Sequence, residues 1–254
     1  MQAMLWMALV AVVIPTYNES ENIGGILNAL SSLAGSAGLN IHVLVVDDNS
    51  VDGTVEIVED FGRRTGFVSI LRRPGKLGLG SAYVDGFRWC LRNLGDFAVA
   101  VEMDADGSHD PAQLPRLVEP ILKGEVDVVI GSRYVKGGAW RGGRLSRRII
   151  SRGANLLVRL TVGLRVRDAT SGYRAISKKV LEQAFSGERS YETGYIFQVE
   201  TLYQYYLLGA RILEVPISFY ERAGGKSKLG PGELVSFAAW CFRQLAGRIS
   251  GRVI

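Results

Sequence analysis

Asp104-Ala105-Asp106 places two carboxylates two residues apart, just beyond the apolar run Phe97-Ala-Val-Ala-Val101 and Glu102-Met103. Just past a strand end, both can face one cation. Hard oxygen ligands of this kind suit Mg²⁺ or Mn²⁺, which keep several waters and share their sphere with phosphates. A cation held there would neutralise a diphosphate as it leaves. The same tripeptide also reads as a helix start, with Asp106 or Ser108 capping a segment through Asp110-Pro111. Spacing alone leaves both readings open.

Asp47-Asp48, after Val43-Leu-Val-Val46, is a second acidic pair at a strand end. One carboxylate there suits hydrogen bonds to a ribose or base, and the other, with Asn49 and Ser50, suits capping of a helix from near Asp52. Arg133 follows a later apolar run, while Arg147, Arg148, Arg222 and Lys228 lie in segments able to fold over the same edge. Guanidinium groups pair bidentately with phosphate, although each of these residues alone also reads as surface charge. Lys76-Leu-Gly-Leu-Gly-Ser-Ala lacks the GxxxxGK[ST] pattern, and Tyr83 stands where a third fingerprint glycine would be. Neither a P-loop nucleotidase nor a nicotinamide-binding fingerprint is supported. There is also no Ser-His-Asp or Cys-His set.

The elements that must position these groups alternate. Leu9–Ile14, His42–Val46, Val68–Leu71, Ala98–Met103 and Asp127–Ile130 are short runs rich in β-branched residues and read as strands. Ile23–Leu33, Val55–Arg64, Ser81–Asn93 and Leu114–Lys123 carry helical periodicity between them. Such alternation predicts an α/β fold, a mostly parallel sheet with helices on both faces, whose ligands bind beyond the carboxyl ends of the strands. Four polar clusters fall at those ends: Pro15–Glu19, Asp47–Ser50, Arg72–Pro74 and Asp104–Asp106. Past Gly131 the pattern loosens. Residues 141–152 form a basic stretch running into a helix to about Leu160, Asp168–Arg174 is turn-like, Tyr195–Leu208 is helical and Ile212–Phe219 reads as one strand.

The 254 residues suffice for one large domain, and the net charge of +5 is unevenly spread. Residues 1–62 hold eight acids and no Lys or Arg, so the rest sets all 30 basic residues against the other 17 of the 25 acids. A polyanionic partner and a solubilising surface both fit that asymmetry. Nucleic acid ranks last among such partners, because the aromatics are not interleaved with basic residues as a stacking platform requires. Cys90 and Cys241 have no metal spacing and suit a reducing compartment. The apolar start, Met1–Ile14, has no basic leader and runs straight into Pro-Thr-Tyr-Asn-Glu, so it reads as a first strand. No stretch reaches transmembrane length, leaving only peripheral membrane contact.

In order along residues 12 to about 230, Val-Val-Ile-Pro-Thr-Tyr-Asn-Glu, Val-Val-Asp-Asp-Asn-Ser, Lys-Leu-Gly-Leu-Gly-Ser-Ala-Tyr, Asp-Ala-Asp-Gly-Ser-His-Asp-Pro, Gly-Ser-Arg-Tyr, Ile-Ser-Arg-Gly-Ala-Asn, Thr-Ser-Gly-Tyr-Arg, Tyr-Ile-Phe-Gln-Val-Glu and Lys-Ser-Lys-Leu-Gly follow one another. This series resembles the dolichol-phosphate (polyprenyl-phosphate) mannosyltransferase family of inverting family-2 glycosyltransferases. The early motifs are shared by many family-2 transferases, and the later ones are narrower.

The resemblance implies a GT-A fold, with GDP-mannose as donor and a polyprenyl or dolichyl monophosphate as acceptor. It implies Mg²⁺ or Mn²⁺ on Asp104 and Asp106, and a nucleotide-sugar site of Pro15, Tyr17, Glu19, Val45, Asp47, Asp104, Ala105, Asp106, Arg133, Arg222 and Lys228. Ser108 stands where some members carry a Gln. Arg133 and Arg147 fall where members contact the acceptor phosphate, with Arg148 as the alternative to Arg147. A lipid monophosphate is already an anionic nucleophile, so direct inverting displacement needs no general base. The catalytic work then lies in positioning and electrostatics by Asp104, Asp106 and Arg133.

Residues 1–230 are expected to be the catalytic domain. Residues 231–254 are expected to form an amphipathic helix, lying either in a membrane interface or on the domain. The expected location is the cytoplasmic face of a membrane, with a membrane-embedded partner subunit left open. UDP-glucose as donor, or a non-catalytic nucleotide-sugar-binding adaptor, are the rival readings.

Overall fold

The computed structural model describes residues 8–143, 145–187, 191–192, 194–221 and 230–250. Two sites expected from the sequence, Arg222 and Lys228, lie outside them.

The first half alternates as its periodicity requires. Strands β1 (Leu9–Thr16), β2 (Ile41–Asp47), β3 (Val68–Arg72) and β4 (Phe97–Glu102) are separated by helices α1 (Ser20–Ala37), α2 (Thr54–Thr65) and α3 (Leu79–Asn93). A short 3₁₀ turn, Pro111–Gln113, leads into α4 (Leu114–Leu122) and then β5 (Val128–Ser132). The remaining elements are β6 (Ala139–Arg141), α5 (Leu145–Thr161), β7 (Arg174–Ser177), α6 (Lys178–Phe185), α7 (Tyr195–Leu207), β8 (Ile212–Pro216), β9 (Ser218–Tyr220) and α8 (Pro231–Ile249).

Seven strands form one sheet in the order β3-β2-β1-β4-β7-β5-β8, all parallel to their neighbours except β7, which is antiparallel to both β4 and β5. A parallel sheet covered on both faces needs strands that are apolar throughout. β1 meets that need by alternation. Val10, Val12 and Ile14 pack with Ile23, Leu27, Val58 and Leu117 of α1, α2 and α4 on one face, while Ala11 and Val13 pack with the α3–α8 side. α3 lies so close to the sheet that a Cβ at Gly86 would stand 2.5 Å from Val13 Cγ1.

One expectation fails here for a local reason. Ile212–Phe219 is not one strand. Pro216 has no N–H to continue a ladder, and the chain breaks into β8, paired with β5, and β9, paired with β6 in a separate two-stranded sheet. The turn-like Asp168–Arg174 ends in β7, whose Arg174 lies opposite Glu102 of β4. The C-terminal helix has two different sides: Phe237, Trp240 and Cys241 are buried in the domain core, whereas Val235, Phe242 and Ile249, spaced by seven, are exposed.

Candidate active site

β1, β2 and β4 lie side by side and deliver Thr16, Asp47 and Met103-Asp104 to one edge of the sheet. Asp47 is buried and accepts from Thr16 Oγ1 at 2.8 Å, from the Ser50 N–H at 2.8 Å and from Ser50 Oγ at 2.6 Å. Asp48 accepts from Arg73 Nη1 at 2.6 Å and from the Leu77 and Gly78 N–H groups at 3.1 and 3.2 Å. Neither carboxylate caps α2. Asp52 does the local work instead, accepting from the Thr54 N–H and Oγ1 and from the Ser20 N–H. Asn18 and Asn49 adopt left-handed backbone, φ 56° and 65°, folding the two strand ends toward each other. Asn18 N–H donates to Ser50 Oγ and Asn18 Oδ1 accepts from Val51 N–H, so the two loops form one rim. Tyr17 stands exposed on that rim with Lys76 Nζ 4.1 Å above its ring. Pro15 precedes it at the edge of β1, and the Glu19 N–H donates to Thr54 Oγ1. The Val45 side chain is sealed in the core, so only its backbone faces this edge.

Asp104 and Asp106 are built differently. The Tyr83 hydroxyl donates to Asp104 Oδ1 at 3.0 Å. Burial, then the carboxylates of Asp104, Glu102 and Asp106, push that phenol well above the ordinary tyrosine range, so it is a standing donor. The Asp104 N–H donates to His109 Nδ1 at 3.0 Å. That bond places the proton of the neutral ring on Nε2, which lies 3.9 Å from Asp104 Oδ2. Burial lowers the His109 pKa, and the ring stacks on Tyr173 at 4.8 Å. The Asp104 side chain retains 30% of its exposure. A Cβ at Gly172 would come within 3.7 Å of Asp104 Oδ2 and 3.6 Å of Gln198 Nε2, so the missing side chain leaves room beside the carboxylate. Asp106 Oδ1 accepts from the Ser108 N–H, and Asp110, not Asp106 or Ser108, caps the following turn. Ala105 is buried between the two acids.

Among the described residues no three of His, Cys, Asp and Glu stand together as a metal cluster. Two carboxylates with space beside them nevertheless fit a hard cation that takes its other ligands from phosphate and water.

Arg133 is brought to the same end of the sheet but is already clamped. Its Nε and Nη2 donate to the fully buried Asp168 at 2.8 and 2.6 Å, and Nη2 also to Thr170 Oγ1 at 2.9 Å. Its guanidinium lies over Trp140 and Phe219, 4.6 and 5.3 Å from their centroids. Arg147 pairs with Glu221, and Arg148 donates to the Trp140 and Gly142 carbonyls.

Two groups were given no role of their own by the sequence reading. Arg73 is buried and holds Asp48, Asp85 and Ser81 together. Its signal was only its place after β3. Beneath Asp104, Glu102 and Arg174 face each other across β4 and β7, both fully buried. Burial raises Glu102 to about 7, opposed by the Arg174 guanidinium and by Gln198. Arg174 donates to the Gln198 and Ala169 carbonyls at 2.5 and 2.6 Å, tying α7 to the floor of the site. A lone Glu in an apolar strand gave no sign of this.

The chain is 43% identical over 223 residues to a Micrococcus luteus protein named undecaprenyl-phosphate mannosyltransferase, covering 88% of each. It is 39% identical over 248 residues to polyprenol monophosphomannose synthase of Mycolicibacterium smegmatis, covering 95% of this chain and 90% of that one. Among solved structures, glucosyl-3-phosphoglycerate synthase from Mycobacterium tuberculosis in complex with phosphoglyceric acid superposes with a TM-score of 0.66 at 22% identity, over 96% of this chain and 82% of that one. The same enzyme with Mn²⁺ and UDP-glucose also gives 0.66 at 22% identity, over 98% and 83%. These likenesses show the GT-A fold. Residues 11–185 match Glycosyl transferase family 2, and with a GT-A sheet carrying an Asp-Ala-Asp edge the chain belongs to that family of glycosyltransferases.

Proposed function

We propose that this enzyme transfers mannose from GDP-mannose to a polyprenyl or dolichyl monophosphate, with inversion, at the cytoplasmic face of a membrane. The observation that carries the reading is the Asp104–Asp106 pair at the sheet's carboxyl edge, where Tyr83 orients a carboxylate that stays 30% exposed. The names of the relatives support the sugar and the acceptor class.

Asp104 and Asp106 would hold Mg²⁺ or Mn²⁺, which neutralises the diphosphate leaving group when bound. The chain's own residues do the rest. Tyr83 and the Asp104 N–H–His109 bond fix the orientation of that carboxylate. The rim of Pro15, Tyr17, Glu19, Val45 and Asp47 is assigned to guanosine, and Arg147 to the incoming phosphate. Arg133, locked on Asp168, contributes its charge from a fixed position. Arg222 and Lys228 are assigned to the donor diphosphate. No general base is needed, because the lipid monophosphate is already an anionic nucleophile.

Among the described residues no helix is long and apolar enough to cross a membrane. The membrane assignment draws support from two exposed stripes: Leu145, Ile149, Leu156 and Leu160 on α5, and Val235, Phe242 and Ile249 on α8. Arg148, Arg152, Arg159 and Arg243 lie on the same two helices, a composition suited to an anionic lipid surface. A membrane-embedded partner subunit is compatible with this arrangement.

Incubation with GDP-mannose, Mg²⁺ and a polyprenyl phosphate should yield mannolipid in the organic phase. Equal yield with a plain polyprenol contradicts the acceptor assignment. The UDP-glucose complex of the superposable synthase favours one second reading, a polyprenyl-phosphate glucosyltransferase. Greater transfer from UDP-glucose than from GDP-mannose would establish it.

A further inference from the structure

Glu221 directly follows β9, and its side chain is only 8% exposed. Three elements converge on its carboxylate. Arg147 of α5 pairs with Oε1, and Trp140 of β6 donates its indole N–H to Oε2 at 3.1 Å. Gly143, at φ 76°, supplies the third: a Cβ there would fall 1.3 Å from Oε2. The Glu221 N–H meanwhile donates to the Arg141 carbonyl at 3.0 Å, fixing the backbone. A cation, an indole donor and a side-chain-free loop thus form an anion cradle, and the protein's own carboxylate fills it. The Arg147 side chain stays 30% exposed, reachable from outside.

Carboxylate and phosphate oxygens present the same geometry to a guanidinium, so they compete for it. They differ in charge. A phosphate monoester carries nearly two negative charges at neutral pH, whereas a phosphodiester and a carboxylate carry one each. In the proposed transfer, a phosphate oxygen bonds to the anomeric carbon, the bond from that carbon to the diphosphate breaks, and its electron pair leaves with GDP. No proton moves, and the acceptor phosphate passes from two charges to one.

We propose that Glu221 is an internal competitor at the acceptor site, a built-in stand-in for the acceptor phosphate. Its carboxylate cedes Arg147 to a dianionic phosphate monoester and reclaims it from the monoanionic diester product. The assignment rests on Arg147 as the acceptor-phosphate contact proposed above. The coulombic difference between one charge and two at a part-buried guanidinium is large enough to govern this exchange.

Calorimetric titration of a ten-carbon isoprenyl monophosphate and of its methyl phosphodiester tests it, in wild type and E221Q. Wild type should bind the monoester about tenfold or more tightly than the diester. E221Q should bind both probes about tenfold more tightly than wild type does, with at least as large a gain for the monoester, because removing an internal competitor lifts the same cost from each ligand and its repulsion from the more charged one. Unchanged affinity for both probes overturns the proposal, as does weaker binding of both, which would mark Glu221 as a mere prop for Arg147. If E221Q does not fold, E221D, which withdraws the carboxylate by one methylene, should tighten both probes by less; no change overturns the proposal equally. Wild type that binds neither probe sinks the acceptor reading itself, whereas a bound monoester whose affinity the variant leaves unmoved sinks only the role of Glu221.

Discussion

Two acidic pairs sit at the ends of neighbouring parts of one sheet, and the protein uses them in opposite ways. Asp47 and Asp48 are surrounded by donors: Thr16 and Ser50 saturate the first, while Arg73 and two backbone N–H groups saturate the second. The Asp48 side chain is 8% exposed and its guanidinium partner 4%. Asp104 takes a phenol on one oxygen, has His109 Nε2 3.9 Å from the other, and keeps 30% of its side-chain exposure. The residue types are identical, so identity does not assign the chemistry. The counter-donors do. Asp48, gripped by a buried guanidinium and two backbone N–H groups, is architecture, whereas the Asp104 side chain keeps 30% of its exposure at the same sheet edge.

The sharpest way to break that contrast is to neutralise each pair. D104N/D106N should lower kcat by about 10³-fold, the scale of several kcal/mol of lost charge stabilisation, with little change in the unfolding midpoint. Mannose transfer and thermal melting of the same preparation check it. D48A should do the reverse in kind. It leaves Arg73 buried without its main partner and should cost about 3–5 kcal/mol of stability in urea unfolding. A loss below about 1 kcal/mol, within the range of an exposed ion pair, would mean that the pair is not locked.

Y83F tests the orientation of Asp104. Loss of one charge-assisted hydrogen bond should lower kcat about tenfold without moving the donor KM, and an unchanged kcat would show that the carboxylate needs no such hold.

The smallest effect is a control on β2 itself. Burial lowers the His42 pKa below its ordinary value, so the unfolded chain binds the proton first. The stability this supplies is complete above the unfolded pKa and is lost as pH falls toward the folded one. The urea midpoint of wild type should therefore drop more than that of H42N between about pH 7.5 and 5.5, and a rise on acidification would contradict the sign.

The first half of the fold was legible because its strands are apolar on both faces and its helices keep a clean period, so β1 to β5 fall where the runs predict. The second half was not. β7 is short and runs against its neighbours, and its Arg174 looks like a turn residue until Glu102 is found opposite it. Pro216 splits what hydropathy joins. In the site, the sequence put Asp104, Asp106, Pro15, Tyr17, Glu19 and Asp47 after neighbouring strands, and β1, β2 and β4 do lie side by side. The partners that decide their use, Tyr83, Arg73 and His109, lie 5 to 25 residues away in sequence from the acids they hold. Such pairing depends on how α3 packs, which no local pattern records.

The most direct measurement is titration of GDP-mannose into wild type and D104N/D106N, each with Mg²⁺ and with a chelator. Binding should strengthen with Mg²⁺ in wild type and become indifferent to it in the double variant. Equal Mg²⁺ dependence in both proteins would mean that the diphosphate and its cation sit elsewhere, and that Asp104 and Asp106 are not the catalytic pair.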